Sequence, residues 1–374
     1  MSALIAGSAI RTCFGDGAAT FQGLLQSASG VGELRHADAA KVNVSHGYHI
    51  REVGDETLFR ASRWLAECAS EAMAQSGVDA QRQRVVAIVG TGLRELRAVE
   101  RSALEPLAVS VERLHFAHAV HQACPHIREV VTISNACSAG GHAMALAQDL
   151  IELGEADAVL VAATDTMTES MLAMIGRFAE VPTDQVRPFD AKRTGVLLGE
   201  GAAAFILVPE GWPCRPLARL LSTGLSCDAS HETVLDPEGI RRAIDDAFTR
   251  AGRTPAQVDL VIAHGTGTAI NDPVEATLIR QVLACGRAGP LITAIKGAIG
   301  HTSGGAALAA LDVAQRCLAT GQVPAIVGLR EPLQEGKGLR FVIGEPVKAP
   351  IRLAHIQAFG FGGVNAITLL EKAA

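Results

Sequence analysis

The sequence predicts an α/β fold made of two similar half-units. Short apolar runs alternate along the 374 residues with stretches of helical length, the pattern of sheets layered with helices. The glycine-rich punctuation also repeats in order. Gly90-Thr91-Gly92 is echoed by Gly265-Thr266-Gly267, residues 137–145 by 301–309, and the strand after Gly199-Glu200-Gly201 by the one after Gly360-Phe361-Gly362-Gly363. Two copies of one pattern predict a duplicated, pseudo-symmetric body rather than a solenoid, which needs three or more repeats. Lastly, Cys137 stands where a β-branched run, Val130-Val131-Thr132-Ile133, meets a small-residue turn and an alanine-rich run.

Eleven strands are read at residues 4–7, 85–89, 130–134, 158–162, 202–208, 217–222, 258–263, 291–295, 339–343, 353–358 and 366–370. They lack clear alternation, as expected of strands buried on both faces. Helices are read at 56–75, 138–153, 238–251, 273–283 and 305–320. Asp272 before Pro273 reads as a cap followed by proline at the first helical position. Gly154, Gly252 and Gly321 read as helix ends. Only a short turn, Glu210-Gly211-Trp212-Pro213, separates the halves, so they are expected to share one body, with a first half at 1–212 and a second at 213–374.

Composition narrows the function classes. Hydrophobic residues make up 48%, which excludes global disorder. The formal net charge is −6 with no basic block, against a nucleic-acid footprint. No apolar run approaches the ~20 residues of a membrane span, and the first residues do not read as a signal peptide. The eight cysteines are scattered with no C-x-x-C pair, which fits a reducing cytoplasm with thiols mostly buried. His115, His118, His121 and His126 look like a metal cluster, yet i+6 drifts off a helix face and no acidic or Cys ligand joins them, so a solvated or interface face is the better reading.

A lone cysteine on an apolar segment is ordinarily an inert core residue. At the first turn of a helix, however, the dipole and unpaired N–H groups favour the thiolate, which is the nucleophile. His264 and His301 each follow a predicted strand and adjoin glycine. Ligands of α/β sheets tend to bind beyond the carboxyl ends of strands. A thiolate from one half and two imidazoles from the other suit thioester chemistry.

These residues sit in a longer ordered set: Ser134 to Gly141, Arg187-Pro188-Phe189-Asp190, Gly199-Glu200-Gly201-Ala202, His264-Gly265-Thr266-Gly267-Thr268, Asn271-Asp272-Pro273-Val274-Glu275-Ala276, Lys296 to His301, and Phe359-Gly360-Phe361-Gly362-Gly363-Val364-Asn365. Nearly end to end, the chain resembles a β-ketoacyl-acyl-carrier-protein synthase of the elongating Cys-His-His type, in the thiolase superfamily. The resemblance implies a thiolase-like fold, two α/β halves in a layered αβαβα sandwich. It implies a condensing enzyme that moves an acyl group from acyl carrier protein to Cys137, decarboxylates a malonyl-carrier extender and forms a carbon–carbon bond in fatty-acid or polyketide/polyene synthesis. His264 and His301 would hold the extender thioester and its enolate, with Lys296 orienting polar groups near His301. The N–H groups of Cys137 and Phe361 would form the oxyanion hole, with Phe361 also the gate. Thr266, Thr268, Phe359 and Gly362 would bind substrate. Asp272 and Glu275 read as a cap and a first-turn charge. No metal and no resident cofactor are implied, because phosphopantetheine arrives on the carrier. The implied assembly is a homodimer paired edge to edge through a buried strand such as 130–134, or alternatively a heterodimer with a related Cys-lacking chain, and the implied location is cytoplasmic.

Three departures stand against the family pattern. The segments 35–84 and 171–187 are short, and Arg193-Thr194-Gly195 replaces an RDG-type string. The short segments leave chain-length preference open. The rival readings are an acyltransferase forming an ester or amide, a largely structural partner subunit, and a thiolase. A thiolase would use a second cysteine near 359–365, where this chain has none.

Overall fold

The computed structural model describes residues 2–51, 57–105, 108–178, 181–286 and 288–373. All eleven predicted strands form and join into one sheet. They are β1 (Ala3–Arg11), β2 (Val85–Gly90), β3 (Glu129–Ile133), β4 (Ala158–Asp165), β5 (Gly201–Pro209), β6 (Ala218–Cys227), β7 (Leu260–Ile262), β8 (Leu291–Thr293), β9 (Arg340–Phe341), β10 (Leu353–Gly360) and β11 (Val364–Glu371). The order across the sheet is β9-β8-β7-β10-β11-β6-β1-β5-β4-β2-β3. Read outward from the centre, β1-β5-β4-β2-β3 and β6-β11-β10-β7-β8 are the same topology twice. The two join where Ala3 to Ile5 of β1 pair antiparallel with Leu220 to Ala218 of β6.

Five helices position the site: α1 (Arg60–Ser76), α2 (Ala139–Glu152), α3 (Pro237–Ala251), α4 (Asn271–Leu278) and α5 (Ala306–Thr320). The first residue of the predicted first helix, Glu56, lies outside the described residues. α2 and α5 each touch strands of both halves, so they form a central layer. Side chains alternate accordingly. Ile5, Val86, Ile88, Val159 and Val161 pack inward with α2 and α5. Leu4, Val85, Ala87, Ala158 and Leu160 pack outward with Trp64 and Leu65 of α1. α3 and α4 cover the outer face of the second half, with Ile244, Phe248 and Ala276 against Val261 and Leu369. The result is helix, half-sheet, helix, half-sheet, helix, which explains why the strands are apolar on both faces.

Several expectations need correction. β3 is not buried. It is the outer edge, and Val131 is 42% exposed. The duplicated register is also shifted. Three-residue 3-10 turns, Ala136–Ser138 and Ser303–Gly305, lead into α2 and α5. Each turn opens on a non-glycine residue at φ 47°, Ala136 and Ser303. The counterpart of Cys137 is therefore Gly304, not His301. α4 starts at Asn271, so Asp272 is inside the first turn and caps nothing, and the helix ends in a π-helical stretch, Ile279–Leu283. As whole residues, Cys68, Cys124 and Cys317 are buried, Cys13, Cys137 and Cys214 are half-buried, and Cys227 and Cys285 are exposed. Gly154, Gly252 and Gly321 hold the expected positive φ. Two small two-stranded sheets and short helices such as Gly17–Leu25, Leu96–Ser102 and Glu169–Phe178 were not anticipated.

Candidate active site

Cys137 sits in the turn between β3 and α2. Glycine is needed behind it: a Cβ on Gly140 would lie 2.9 Å from the Gly304 carbonyl oxygen. The two turns thus cross in backbone contact at the pseudo-dyad. The thiol is not held as thiolate. Burial pushes it up to about 11, opposed by the Lys296 charge and by the N–H groups of Phe361 and Cys137 itself, and reinforced by the Asp165 charge. The helix-end field expected to favour the thiolate is outweighed by desolvation in the resting site. The N–H groups of Phe361 and of Cys137 itself face the sulfur and work against that rise.

His264 follows β7, in a loop whose N–H groups are gathered by two buried carboxylates from α4. Glu275 accepts from the His264 N–H at 2.5 Å and the Gly265 N–H at 2.8 Å. Asp272 accepts from Thr266, Gly267 and, across the site, Phe189 at 2.7 Å. Asn271 ties the pair together, donating to Asp272 at 3.1 Å and Glu275 at 2.8 Å. Read from sequence as cap and first-turn charge, these carboxylates instead fix the histidine loop. The Asn-Asp-Pro-Val-Glu string was visible, but nothing local distinguished a loop clamp from a helix start.

The imidazole of His264 has a determined role for one nitrogen. Nδ1 accepts from the Phe359 N–H at 3.4 Å and faces Lys296 Nζ at 3.3 Å. Donors on Nδ1 leave the proton of the neutral ring on Nε2. Burial first, then the charges of Lys296 and His301, hold His264 well below the ordinary histidine range. His301 is likewise held down by burial and by Lys296, and its buried Nδ1 has no hydrogen-bond partner among the described residues. The two rings meet edge to face with centroids 5.5 Å apart. Both are therefore neutral donors at pH 7.

Lys296 makes its hydrogen bonds to His264, at Nδ1 and at the backbone oxygen, and His264 is the polar ring packed on His301. Burial lowers its ammonium to about 8, against the attraction of Glu275, while burial raises Glu275 to about 7.

The remaining predicted residues surround this centre. Phe359 is buried with its ring 5.3 Å from His264. Phe361 is 48% exposed, and the adjacent Gly362 has φ 87°, which a side chain would strain. The Gly362 N–H donates to Glu232 O at 2.8 Å, tying this turn to the segment after β6. The Thr266 and Thr268 hydroxyls share a 2.8 Å hydrogen bond. His115, His118, His121 and His126 are exposed and apart from this centre. Among the described residues no group of His, Cys, Asp and Glu could hold a metal ion, and no helix is long and apolar enough to cross a membrane. A cleft of about 270 Å³ lined by Arg35, His49, Arg97, Met167, Leu172 and Glu200 contains none of the predicted site residues.

Residues 46–210 match the family description "Beta-ketoacyl synthase, N-terminal domain", and residues 217–330 match "Beta-ketoacyl synthase, C-terminal domain". A 3-oxoacyl-[acyl-carrier-protein] synthase 2 of Mycobacterium bovis is 31% identical over 309 residues, 75% of this chain and 73% of the relative. Nodulation protein E of Rhizobium meliloti is 31% identical over 334 residues, 84% and 83% of the two chains. Among solved structures, the ishigamide ketosynthase/chain length factor matches with a TM-score of 0.90 and 27% identity, covering 100% of this chain and 99% of that one. With both halves matched and relatives at this identity across three quarters of its length, the chain belongs to the β-ketoacyl synthase family of condensing enzymes.

Proposed function

We propose that this condensing enzyme works by acyl transfer to Cys137 followed by decarboxylative carbon–carbon bond formation at His264 and His301, on thioesters carried by acyl carrier protein. The observation that carries the reading is the pair of neutral, edge-packed imidazoles against Lys296, whose charge also acts on the Cys137 thiol. Cys137 gives up its proton and attacks the carrier thioester. The N–H groups of Cys137 and Phe361 take the developing oxyanion, and the carrier thiol leaves with the proton. The malonyl thioester then places its carbonyl oxygen on the two histidines. Loss of carbon dioxide leaves an enolate that neutral N–H donors stabilise. Its α-carbon attacks the acyl-Cys137 carbonyl, the carbon–sulfur bond breaks, and the thiolate is returned and reprotonated.

The pseudo-symmetric copy of the nucleophile turn supports the oxyanion assignment. At Gly304, the counterpart of Cys137, the N–H donates at 2.6 Å to a carboxylate, that of Asp165. A turn of this shape thus already binds one anion in this chain. Thr266, Thr268, Phe359 and Gly362 would line the path of the phosphopantetheine arm, with Phe361 gating it. No resident cofactor enters these steps.

The partner reading rests on β3, whose unpaired edge suits strand-to-strand pairing. We propose a homodimer through this edge. The alternative, a heterodimer with a Cys-lacking chain, is favoured by the likeness to a ketosynthase/chain length factor. Light scattering with a turnover assay decides: a stable, active monomer overturns both. An inactive lone chain rescued by a partner selects the second. For the chemistry, incubation with an acyl-carrier thioester should add one acyl mass to the Cys137 peptide, and labelling that persists in Cys137→Ala would overturn the assignment.

A further inference from the structure

Asp165 ends β4 and is 1% exposed, yet no step above uses it. Its carboxylate accepts four hydrogen bonds. Thr91 Oγ1 at 2.7 Å and the Leu93 N–H at 2.8 Å reach Oδ1. The N–H groups of Gly92 at 2.8 Å and Gly304 at 2.6 Å reach Oδ2. Three of these donors belong to the first half and the fourth to the second. They meet where the chain has no room for side chains: a Cβ on Gly304 would lie 2.5 Å from the Gly92 nitrogen, and one on Gly90 2.7 Å from the Ala139 carbonyl carbon. Gly304 lies in the turn that follows His301, and Ala139 opens the helix that follows Cys137.

We propose that Asp165 is a positioning residue of the condensation site, its carboxylate fixing the turn after His301 and the Gly90-Thr91-Gly92 loop against the turn that carries Cys137. The argument is geometric. Four converging donors on one buried anion leave it a single position, and charge-assisted hydrogen bonds are the strong ones. The backbones it holds are already in van der Waals contact, so a shift of a few tenths of an ångström at Gly304 is passed directly to Gly140 and the nucleophile turn. Orientation of this kind matters most for the step joining two substrates, whose reacting atoms must approach closely. Acylation of Cys137 alone is less demanding of the His301 turn. A second consequence follows from charge: Asp165 and Lys296 act on the Cys137 thiol in opposite directions, with the carboxylate favouring the protonated form.

The inference rests on the proposed roles of Cys137, His264 and His301, and the test separates the two. The full-length chain and its Asp165→Asn and Thr91→Val variants are assayed for acyl transfer to Cys137, for carbon dioxide release from malonyl carrier, and for the pH dependence of Cys137 alkylation by iodoacetamide. In Asp165→Asn, acyl transfer should stay within about threefold while condensation falls about tenfold or more. Its alkylation profile should move to lower pH by about half a unit or more, because an anion beside the thiol is lost. Thr91→Val keeps the charge and removes one donor, so condensation should fall about threefold with the alkylation profile unmoved. A ratio of condensation to acylation equal to wild type in both variants overturns the inference, as does an unmoved alkylation profile in a folded Asp165→Asn. Should that variant not fold, the ratio in Thr91→Val decides alone. A wild-type chain that neither acylates nor decarboxylates would instead refute the underlying reading.

Discussion

At the scale of single residues, the site sets a thiol that burial protects from ionising beside imidazoles that burial keeps neutral. With the Cys137 thiol pushed up to about 11, only a small thiolate fraction exists near neutrality. Alkylation of Cys137 by iodoacetamide should therefore climb about tenfold per pH unit from 7 to 10. A plateau near pH 8 would show that the helix end prevails after all. Burial holds His264 and His301 well below the ordinary histidine range, so both are neutral near neutral pH. Decarboxylation of malonyl carrier should then be flat between pH 6.5 and 8 in its dependence on these rings. His301→Ala should still become acylated, while its decarboxylation falls on the order of a hundredfold, as when a preorganised donor is removed. Near-normal carbon dioxide release from that variant contradicts the assignment.

At the scale of elements, the histidine loop depends on α4 more than on its own residues. Asp272→Ala would leave the N–H groups of Phe189, Thr266 and Gly267 without their buried acceptor. A single unsatisfied buried donor costs about 1–3 kcal/mol, so a loss on the order of 3 kcal/mol is expected in urea unfolding. A loss below about 1 kcal/mol would mean that water substitutes for the carboxylate. This clamp also marks where sequence reading stops. Cys137, His264 and His301 stood out in the sequence because each is a reactive residue type a few positions after an apolar run, with glycine nearby. The eleven strands were legible because each is a short, mostly apolar run of strand length. Asp272 and Glu275 were not, because a carboxylate near a helix start is ordinarily a solvated cap, and Asp165 was not, because nothing local marks a carboxylate at a strand end; only tertiary burial makes either a loop clamp. The echo between 137–145 and 301–309 slipped by three residues because small side chains match in several registers. The shared positive φ at Ala136 and Ser303 fixes the register, and no residue type announces it.

At the scale of the whole molecule, the two halves bury titratable groups of opposite tendency, and acid stability follows from their sum. His264, His301 and His355 are buried and neutral, with His355 pushed down to about 3 by burial. A histidine depressed in the folded state favours folding above its unfolded value near 6.5, and that contribution is lost as pH falls below it. Glu95 and Glu275, raised to about 7, and Asp165, raised to about 6, act oppositely: they bind protons earlier when folded, so they add stability as pH falls toward 4.5. The two sets offset one another between pH 6.5 and 4.5. Below 4.5 the two glutamate contributions are complete and that of Asp165 is nearly so, while the histidine loss continues. Glu200, held low by His49, Arg60 and Thr166 against the cost of burial, then begins to lose its own contribution as well. Thermal unfolding should thus be nearly level from pH 6.5 to 4.5 and fall steeply below it. His355 offers the cleanest check, since it lies in the second half's outer layer, stacked on Phe248 at 5.9 Å with neither ring nitrogen hydrogen-bonded among the described residues. His355→Leu removes an unsatisfied polar ring from an apolar setting, so it should be neutral or stabilising at pH 7. It should also flatten the acid limb by about 1.4 kcal/mol per pH unit below pH 4.5. An acid limb of unchanged slope in that variant would show that His355 is protonated in the folded chain, with water or a neighbouring carbonyl taking the charge.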